Sequence, residues 1–194
     1  MESAGKRELT LRVETHLRPR EDVPDLWLCA APIKRGRIDW VAEKASELGV
    51  SRLVPVATRR AVVDKLNAER LRAHMIEAAE QCERTALPEL ADLVPLDRLL
   101  RDWPQARRLF FADEEGGAHL LGAIRENSGP AAFLIGPEGG LDPAEREAIR
   151  ACASAVPVSL GPRILRAETA AVAAVSVWMA AAGDWQSCFS DPTS

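Results

Sequence analysis

Two glycine-containing loops lie close together in the second half of the chain. The first loop, residues 136–141, has the sequence Gly-Pro-Glu-Gly-Gly-Leu and follows the apolar run 131–135. Its glycines leave backbone N–H groups uncovered and permit positive φ angles, so a polar ligand could approach the main chain there. The same loop could also be an ordinary tight turn between a strand and a helix.

The residues after the first loop predict a well-defined helix start. Asp142 fits the N-cap, Pro143 fits the first helical position, and Glu145 completes a capping box. The loop therefore joins a buried strand to the N-terminus of a helix.

The second loop, residues 161–168, has the sequence Gly-Pro-Arg-Ile-Leu-Arg-Ala-Glu and follows the run 156–160. Two arginines and a glutamate flank an apolar pair, so the loop could line an apolar slot and direct charge into it. The helix that follows, from about Thr169 to Ala182, is apolar on every side and is too short to cross a bilayer. We expect a buried helix.

In this order, the two loops resemble the signature loops of the ribosomal small-subunit methyltransferase E family. Residues 34–40, 44–50 and 77–82 with Arg84 also match, and the likeness extends from about Trp27 to Asp184. The resemblance implies methylation of N3 of a uridine in 16S rRNA with S-adenosylmethionine (SAM) as cofactor. It also implies a SPOUT-type fold with a C-terminal trefoil knot, and a homodimer.

The resemblance places SAM in the slot between the two loops. We expect main-chain groups and apolar side chains to hold the cofactor at Leu134, Gly136, Pro137, Gly139, Gly140, Leu160, Gly161, Ile164 and Leu165.

The uracil substrate then suggests two catalytic residues. N3 becomes nucleophilic as its imide proton leaves, and the site must stabilise the resulting anion. We expect Arg166 to do so and Glu168 to act as the base or as an orienting partner. Glu168 could equally be a carboxylate that satisfies N–H groups at a helix N-terminus.

The formal net charge of −4 argues weakly against an RNA partner. Short clusters of cations oppose this argument, although such clusters are usually solvated surface charges. Given the resemblance, we expect an RNA-binding face formed by Lys34, Arg35, Arg37, Arg59, Arg60, Arg84 and Arg163, of which Arg163 could instead be a structural pin.

The chain has no apolar run of transmembrane length and no signal peptide, so we expect a cytoplasmic protein that does not bind membranes. Its four cysteines and three histidines are widely separated and form no ligand set. We therefore expect reduced thiols and no metal.

Residues 1–24 predict one half-buried strand, in which Leu9, Leu11 and Val13 alternate with polar residues, followed by a linker. Relatives carry a complete N-terminal β-barrel, similar to a PUA domain, at this place. We therefore expect a barrel remnant in residues 1–24 and the methyltransferase domain in residues 25–194. Such a chain should still dimerise and bind SAM, with reduced RNA affinity.

From Leu26 onward, strand-like and helix-like patterns alternate, which predicts an α/β fold with a mostly parallel sheet and helices on both faces. The predicted strands are 26–31, 53–56, 90–94, 109–112, 131–135 and 156–160. The predicted helices are 38–48, a segment capped by Asn67, 97–102, 118–126, 142–153 and 169–182. Glu83 stands where relatives commonly have glycine, and we expect it to extend its helix, which makes the placement of Arg84 less certain.

Two other functions fit the same loops. One is a related knotted enzyme that methylates a ribose 2′-hydroxyl of RNA. The other is a non-catalytic SAM-binding dimer that lacks its RNA-binding barrel. An in-frame upstream sequence encoding the missing strands would argue against such a loss of function.

Overall fold

The computed structural model describes residues 3–4, 9–10, 12–34, 36–61 and 66–189. The strands are β1 (Ser3–Ala4), β2 (Leu9–Thr10), β3 (Leu26–Ala30), β4 (Arg52–Ala57), β5 (Glu89–Leu90), β6 (Val94–Pro95), β7 (Arg108–Ala112), β8 (Ala118–His119), β9 (Ala131–Ile135) and β10 (Ala155–Ser159). The helices are α1 (Arg37–Glu47), α2 (Ala68–Gln81), α3 (Leu96–Arg101), α4 (Leu120–Glu126), α5 (Pro143–Ala151) and α6 (Ala167–Ala182), and a 3₁₀ helix spans Asp184–Phe189.

Strands β3 to β10 form one eight-stranded sheet in the order β5-β4-β3-β9-β7-β10-β8, and β6 pairs with the far end of β4. Every pairing in this sheet is parallel. The predicted fold class is therefore confirmed. The trefoil knot implied by the resemblance stays a prediction.

Alternate residues of the central strands point to opposite faces of the sheet and belong to two separate hydrophobic cores. On one face, Phe133 and Phe110 stack at a centroid distance of 5.4 Å within a core shared with α1, α2, α4 and α6. On the other face, Leu134 and Phe111 pack with Ile149 of α5 and with α3. Because the strands are covered on both sides, their sequences are apolar throughout and do not alternate with polar residues.

Three helix boundaries lie at the capping and helix-ending residues that the sequence predicted. The Asn67 side chain caps α2 by accepting a hydrogen bond from the Arg70 N–H at 2.9 Å. The chain leaves α1 at Gly49, whose φ of 80° suits glycine. Asp142 and Glu145 form the predicted capping box at the start of α5.

Three predicted elements differ from the structure. The strand predicted at residues 90–94 is split into β5 and β6 because each pairs with a different part of β4. Ala118 and His119 form a short strand beside β10, so α4 begins at Leu120 and not at Ala118. The single N-terminal strand predicted over residues 9–13 is shorter, and β2 pairs with β1 in a separate two-stranded sheet. Leu11 lies outside the described residues.

The expectation that Glu83 extends α2 was wrong. The helix ends at Gln81, and Glu83 has a φ of 55°, a left-handed conformation. The Arg84 N–H donates to the Ala79 carbonyl at 2.9 Å and the Glu83 N–H to the Glu80 carbonyl at 3.3 Å. These two bonds are those of a Schellman motif, which most often has glycine at the left-handed position.

We expect Glu83→Gly to stabilise the protein by about 0.5–1 kcal/mol, since it removes the strain of a left-handed non-glycine residue. Urea unfolding followed by circular dichroism would measure the change. The matched control is Glu77→Gly, an exposed position further inside the same helix, which should lose about 0.5–1 kcal/mol. A loss in both variants would contradict the strain argument.

The segment before β3 contacts the end of α2. The Glu21 N–H donates to Thr85 Oγ1 at 2.9 Å, the Glu21 carboxylate lies 2.9 Å from Arg84 Nη2, and Arg18 donates to the Glu83 carbonyl. Residues 12–25 form neither helix nor strand. The division into residues 1–24 and 25–194 stays a prediction.

Cys29, Cys82 and Cys152 are free thiols. Burial within the sheet raises the pKa of the Cys29 thiol to about 12, although Arg107 and Arg52 oppose this shift. Cys29 therefore stays protonated at neutral pH. Within the part of the chain that the structure describes, no helix is long and apolar enough to span a membrane.

Candidate functional site

A cleft of about 480 Å³ lies at the carboxyl ends of β7, β9 and β10. These strands are neighbours in the sheet, with β7 between the other two. The loops that follow them therefore leave the same edge side by side, which is where parallel α/β sheets bind ligands. The cleft has three walls: the two glycine loops and the loop after β7, residues 113–117.

The first glycine loop is held in place from several directions. The Gly140 N–H donates to the Pro137 carbonyl at 2.9 Å, and Gly140 has a φ of 69°. A Cβ on Gly140 would lie 2.7 Å from Oε1 of Glu114, in the third wall. The backbone conformation therefore favours glycine at this position, and a larger residue would also displace the end of the Glu114 side chain.

The second glycine loop is more open. Gly161 has a φ of 114°, and its N–H donates to Ser159 Oγ at 3.2 Å. Ile164 is 91% exposed, whereas Leu165 is half-buried against the core. Arg166 occupies the N-cap position of α6 without making a side-chain cap bond. Its guanidinium is therefore not committed to holding the helix start.

The structure brings most of the predicted cofactor residues to the cleft. Those that line it are Gly136, Pro137, Gly140, Leu160, Gly161, Ile164 and Leu165. Two of the predicted residues do not line it. The Leu134 side chain is buried in the core on the α5 side of the sheet, and the Gly139 carbonyl accepts a hydrogen bond from Arg60 Nη1 at 3.2 Å.

Of the predicted catalytic pair, Arg166 lines the cleft and Glu168 does not. The side chain of Glu168 is only 14% exposed, and its Oε1 lies 3.4 Å from Arg37 Nη1. Its other oxygen, Oε2, is buried and has no hydrogen-bond partner among the described residues. Arg37, which we predicted as an RNA contact, itself lines the cleft and faces two carboxylates.

The other predicted RNA-binding residues lie in different surroundings. Lys34 is exposed before α1, and Arg163 is exposed at the cleft. Arg59 pairs with Asp142 at 3.0 Å, beside the contact between Arg60 and the first glycine loop. Arg84 is mostly buried, where it donates to the Glu47 carbonyl at 3.2 Å and pairs with Glu21. Arg35 lies outside the described residues.

The sequence analysis missed the third wall. Asp113, at the end of β7, is fully buried and lies between Arg146 Nε at 3.5 Å and Arg150 Nη2 at 2.5 Å. Glu114 Oε1 lies 2.7 Å from Arg146 Nη2, and Glu115 contacts both arginines. The signal was present, since an acidic run followed by two glycines stands directly after a predicted strand.

The ion pairs of this cluster hold the third wall against α5, and they place buried charge at the cleft. The Arg150 pKa is raised, chiefly by its hydrogen bond to Asp113. Among the described residues, no group of three or more histidine, cysteine, aspartate or glutamate side chains could hold a metal ion.

Comparison with known proteins identifies the family. A family model described as an RNA methyltransferase domain matches residues 20–179. A protein of Rickettsia conorii named ribosomal RNA small subunit methyltransferase E is 30% identical over 176 residues, which is 89% of this chain and 71% of the relative. The chain belongs to the ribosomal RNA small subunit methyltransferase E family. The resemblance carried by the two glycine loops is therefore confirmed.

Solved structures support the same assignment. A ribosomal RNA small subunit methyltransferase E from Neisseria gonorrhoeae, bound to SAM, has a TM-score of 0.75 at 30% identity, over 84% of this chain and 69% of that chain. A SpoU methyltransferase from Streptomyces viridochromogenes, at 22% identity and a TM-score of 0.55, covers 84% of this chain and 62% of that chain. This second likeness shows the fold alone, and the SPOUT-type architecture is confirmed.

Proposed function

We propose that this protein transfers the methyl group of SAM to N3 of a uridine in 16S rRNA of the small ribosomal subunit. The observation that carries the proposal is the cleft, in which both signature loops of the family meet at one edge of a parallel sheet. The relative from Neisseria gonorrhoeae is bound to SAM, and its fold matches this one over most of the chain.

The residues of the cleft fit the cofactor. Gly136, Gly140 and Gly161 line the cleft and have no side chains, so the polar edges of SAM can approach the main chain there. The N–H groups of Gly140 and Gly161 are already bonded within their loops, which leaves Gly136 as the candidate N–H donor among the three. Ile164 and Leu165 add apolar surface for the adenine ring. When bound, SAM supplies an electrophilic methyl group.

The charges at the cleft fit an anionic nucleophile. As the imide proton of uracil leaves, negative charge spreads over the ring oxygens, and a fixed cation beside it lowers the barrier. Arg166 lines the cleft, and its side chain has no ion pair or hydrogen bond among the described residues. We assign anion stabilisation to Arg166 and an orienting role to Glu168. Glu168 does not line the cleft, but it contacts Arg37, which does.

The RNA would lie across the cations around the cleft. Arg37 and Arg163 line the cleft, Lys34 is exposed three residues before Arg37, and Arg59 and Arg60 contact the first glycine loop and the residue after it. Counterion release at these cations would drive binding in spite of the negative net charge. Arg35 belongs to the same proposal. Arg84 does not line the cleft, and its guanidinium is bound to Glu21 and to the Glu47 carbonyl, so its RNA contact stays a prediction from the resemblance alone.

A homodimer and a cytoplasmic location complete the proposal. Val177 on the outer side of α6 is 36% exposed, and Trp185 just beyond the helix is 38% exposed. Apolar side chains of this size at one end of the fold suit a self-complementary interface. Light scattering of the purified chain would report a mass of two protomers.

The first test is cofactor binding without added metal. Calorimetric titration should show heat for SAM and for S-adenosylhomocysteine, and the melting temperature should rise at saturating cofactor. The absence of both signals would remove the methyltransferase proposal.

The second test identifies the product. After reaction of small subunits with the protein and labelled SAM, digestion of the RNA should release 3-methyluridine. A 2′-O-methylated nucleoside would favour the related knotted enzymes. Cofactor binding without transfer would favour a non-catalytic dimer.

A further inference from the structure

Arg37 lies at the junction of the two signature loops, although it belongs to neither. It is the first residue of α1 and follows Gly36, whose φ of 86° turns the chain into the helix. Its Nη1 lies 3.4 Å from Glu168 Oε1, at the end of the second loop, and 3.9 Å from Glu138 Oε1, in the first loop. One nitrogen thus contacts a carboxylate from each side of the cleft.

From this geometry we propose that Arg37 is a positioning residue that holds the two signature loops together and so sets the width of the SAM slot. The proposal rests on the function proposed above, and it concerns how the slot is formed. Glu138, Arg37 and Glu168 are called the loop clasp from here on.

Repulsion between the two carboxylates determines how the loops would move if Arg37 were lost. Both carboxylate oxygens lie within 3.9 Å of the same nitrogen, so they are closer to each other than the Debye length of about 8 Å at physiological ionic strength. Without the cation, the like charges of Glu138, which lines the cleft, and Glu168, which lies behind Arg37, would repel each other. The loops would then separate, because the second loop is little restrained by packing where Arg163 and Ile164 are exposed at the cleft.

Burial makes the contact with Glu168 the stronger of the two. The Glu168 side chain is 14% exposed, whereas that of Glu138 is 27% exposed. The buried Oε2 of Glu168 has no hydrogen-bond partner among the described residues, so Arg37 makes the only ion pair that Glu168 has among them. Loss of Arg37 would leave this carboxylate buried and uncompensated.

The test is titration of the full chain with SAM in the absence of RNA. Half-exposed ion pairs are weak, so Arg37→Ala should reduce SAM affinity by about three- to tenfold. Because a single nitrogen makes both contacts, Arg37→Lys should retain most of the affinity. The matched control is Lys44→Ala, which removes another cation of α1 that pairs with Glu47 away from the cleft.

Two further measurements separate a clasp from a direct contact with the cofactor. Arg37→Ala should weaken binding of 5′-methylthioadenosine, which lacks the amino-acid part of SAM, by the same factor. Adding Glu138→Gln to Arg37→Ala should restore part of the affinity, because it removes the repulsion. If only SAM were weakened and Glu138→Gln restored nothing, Arg37 would bind the cofactor directly and the clasp would be refuted.

Hydrogen exchange without cofactor tests the clasp even if the proposed function fails. Arg37→Ala should speed amide exchange in residues 136–141 and 161–166, and Lys44→Ala should not. If the unmodified chain did not bind SAM, the proposed function would fall while this result could still stand. Unchanged exchange in Arg37→Ala would overturn the clasp whatever the protein binds.

Discussion

Replacing Arg166 with alanine is expected to slow methyl transfer by about 10²–10³-fold, the usual cost of losing one preorganised charge donor. SAM affinity should change little, since the cofactor is assigned to main-chain groups of the glycine loops. The helix start should also survive, because the Arg166 side chain makes no cap bond to α6. Single-turnover transfer to small subunits and calorimetric titration with SAM would measure the two quantities.

Arg163→Ala is the matched control for this experiment, because Arg163 is an exposed arginine of the same loop that also lines the cleft. We expect it to weaken RNA binding in a salt-dependent way and to leave the rate at saturating RNA largely intact. If Arg166→Ala abolished SAM binding together with transfer, Arg166 would be a cofactor or structural residue, and the catalytic assignment would be wrong.

Replacing Asp113 with alanine is expected to destabilise the protein by about 3 kcal/mol, because it breaks a buried ion pair and leaves the buried Arg146 with only part of its compensating charge. Asp113 is fully buried between Arg146 and Arg150, and the Arg146 side chain is only 8% exposed. Glu114 and Glu115 still neutralise part of this charge, which places the loss at the lower end of the usual range. Urea unfolding would measure it.

Glu115→Ala serves as the comparison, since Glu115 contacts the same two arginines but is 58% exposed. Exposed pairs contribute about 0–1 kcal/mol, so the loss should be small. Equal losses in the two variants would show that burial does not set the energy of this cluster.

The sequence predicted the individual strands and helices better than it predicted which strands lie side by side in the sheet. Apolar runs such as 131–135 marked the central strands, and Asn67 and Asp142 marked the helix starts, because these signals are local in the chain. The position of β7 between β9 and β10 depends on non-local pairing. For that reason the third wall of the cleft, with Asp113, was not predicted.

For the candidate site too, the sequence predicted the local motifs but not the contacts between distant parts of the chain. Both glycine loops and Arg166 line the cleft, and their roles in binding and catalysis stay predictions. The partners of the charged residues were not predictable, since Arg37 reaches Glu168 from a helix far away in the chain. Glu83 shows the opposite case, in which a residue with good helix propensity adopts a left-handed conformation because the Schellman bonds around it end the helix.

The pairing of β3 with β9 also determines how the chain can fold. Leu26 of β3 pairs with Ala131 of β9, so β3 acquires its second neighbour only from a strand about a hundred residues further along the chain. Closing so long a loop costs entropy before any contact repays it, and high contact order slows folding. On the ribosome, β3 can pair with β4, but its other edge stays unpaired until β9 has been synthesised. Nascent chains of this protein should depend on chaperones at that stage.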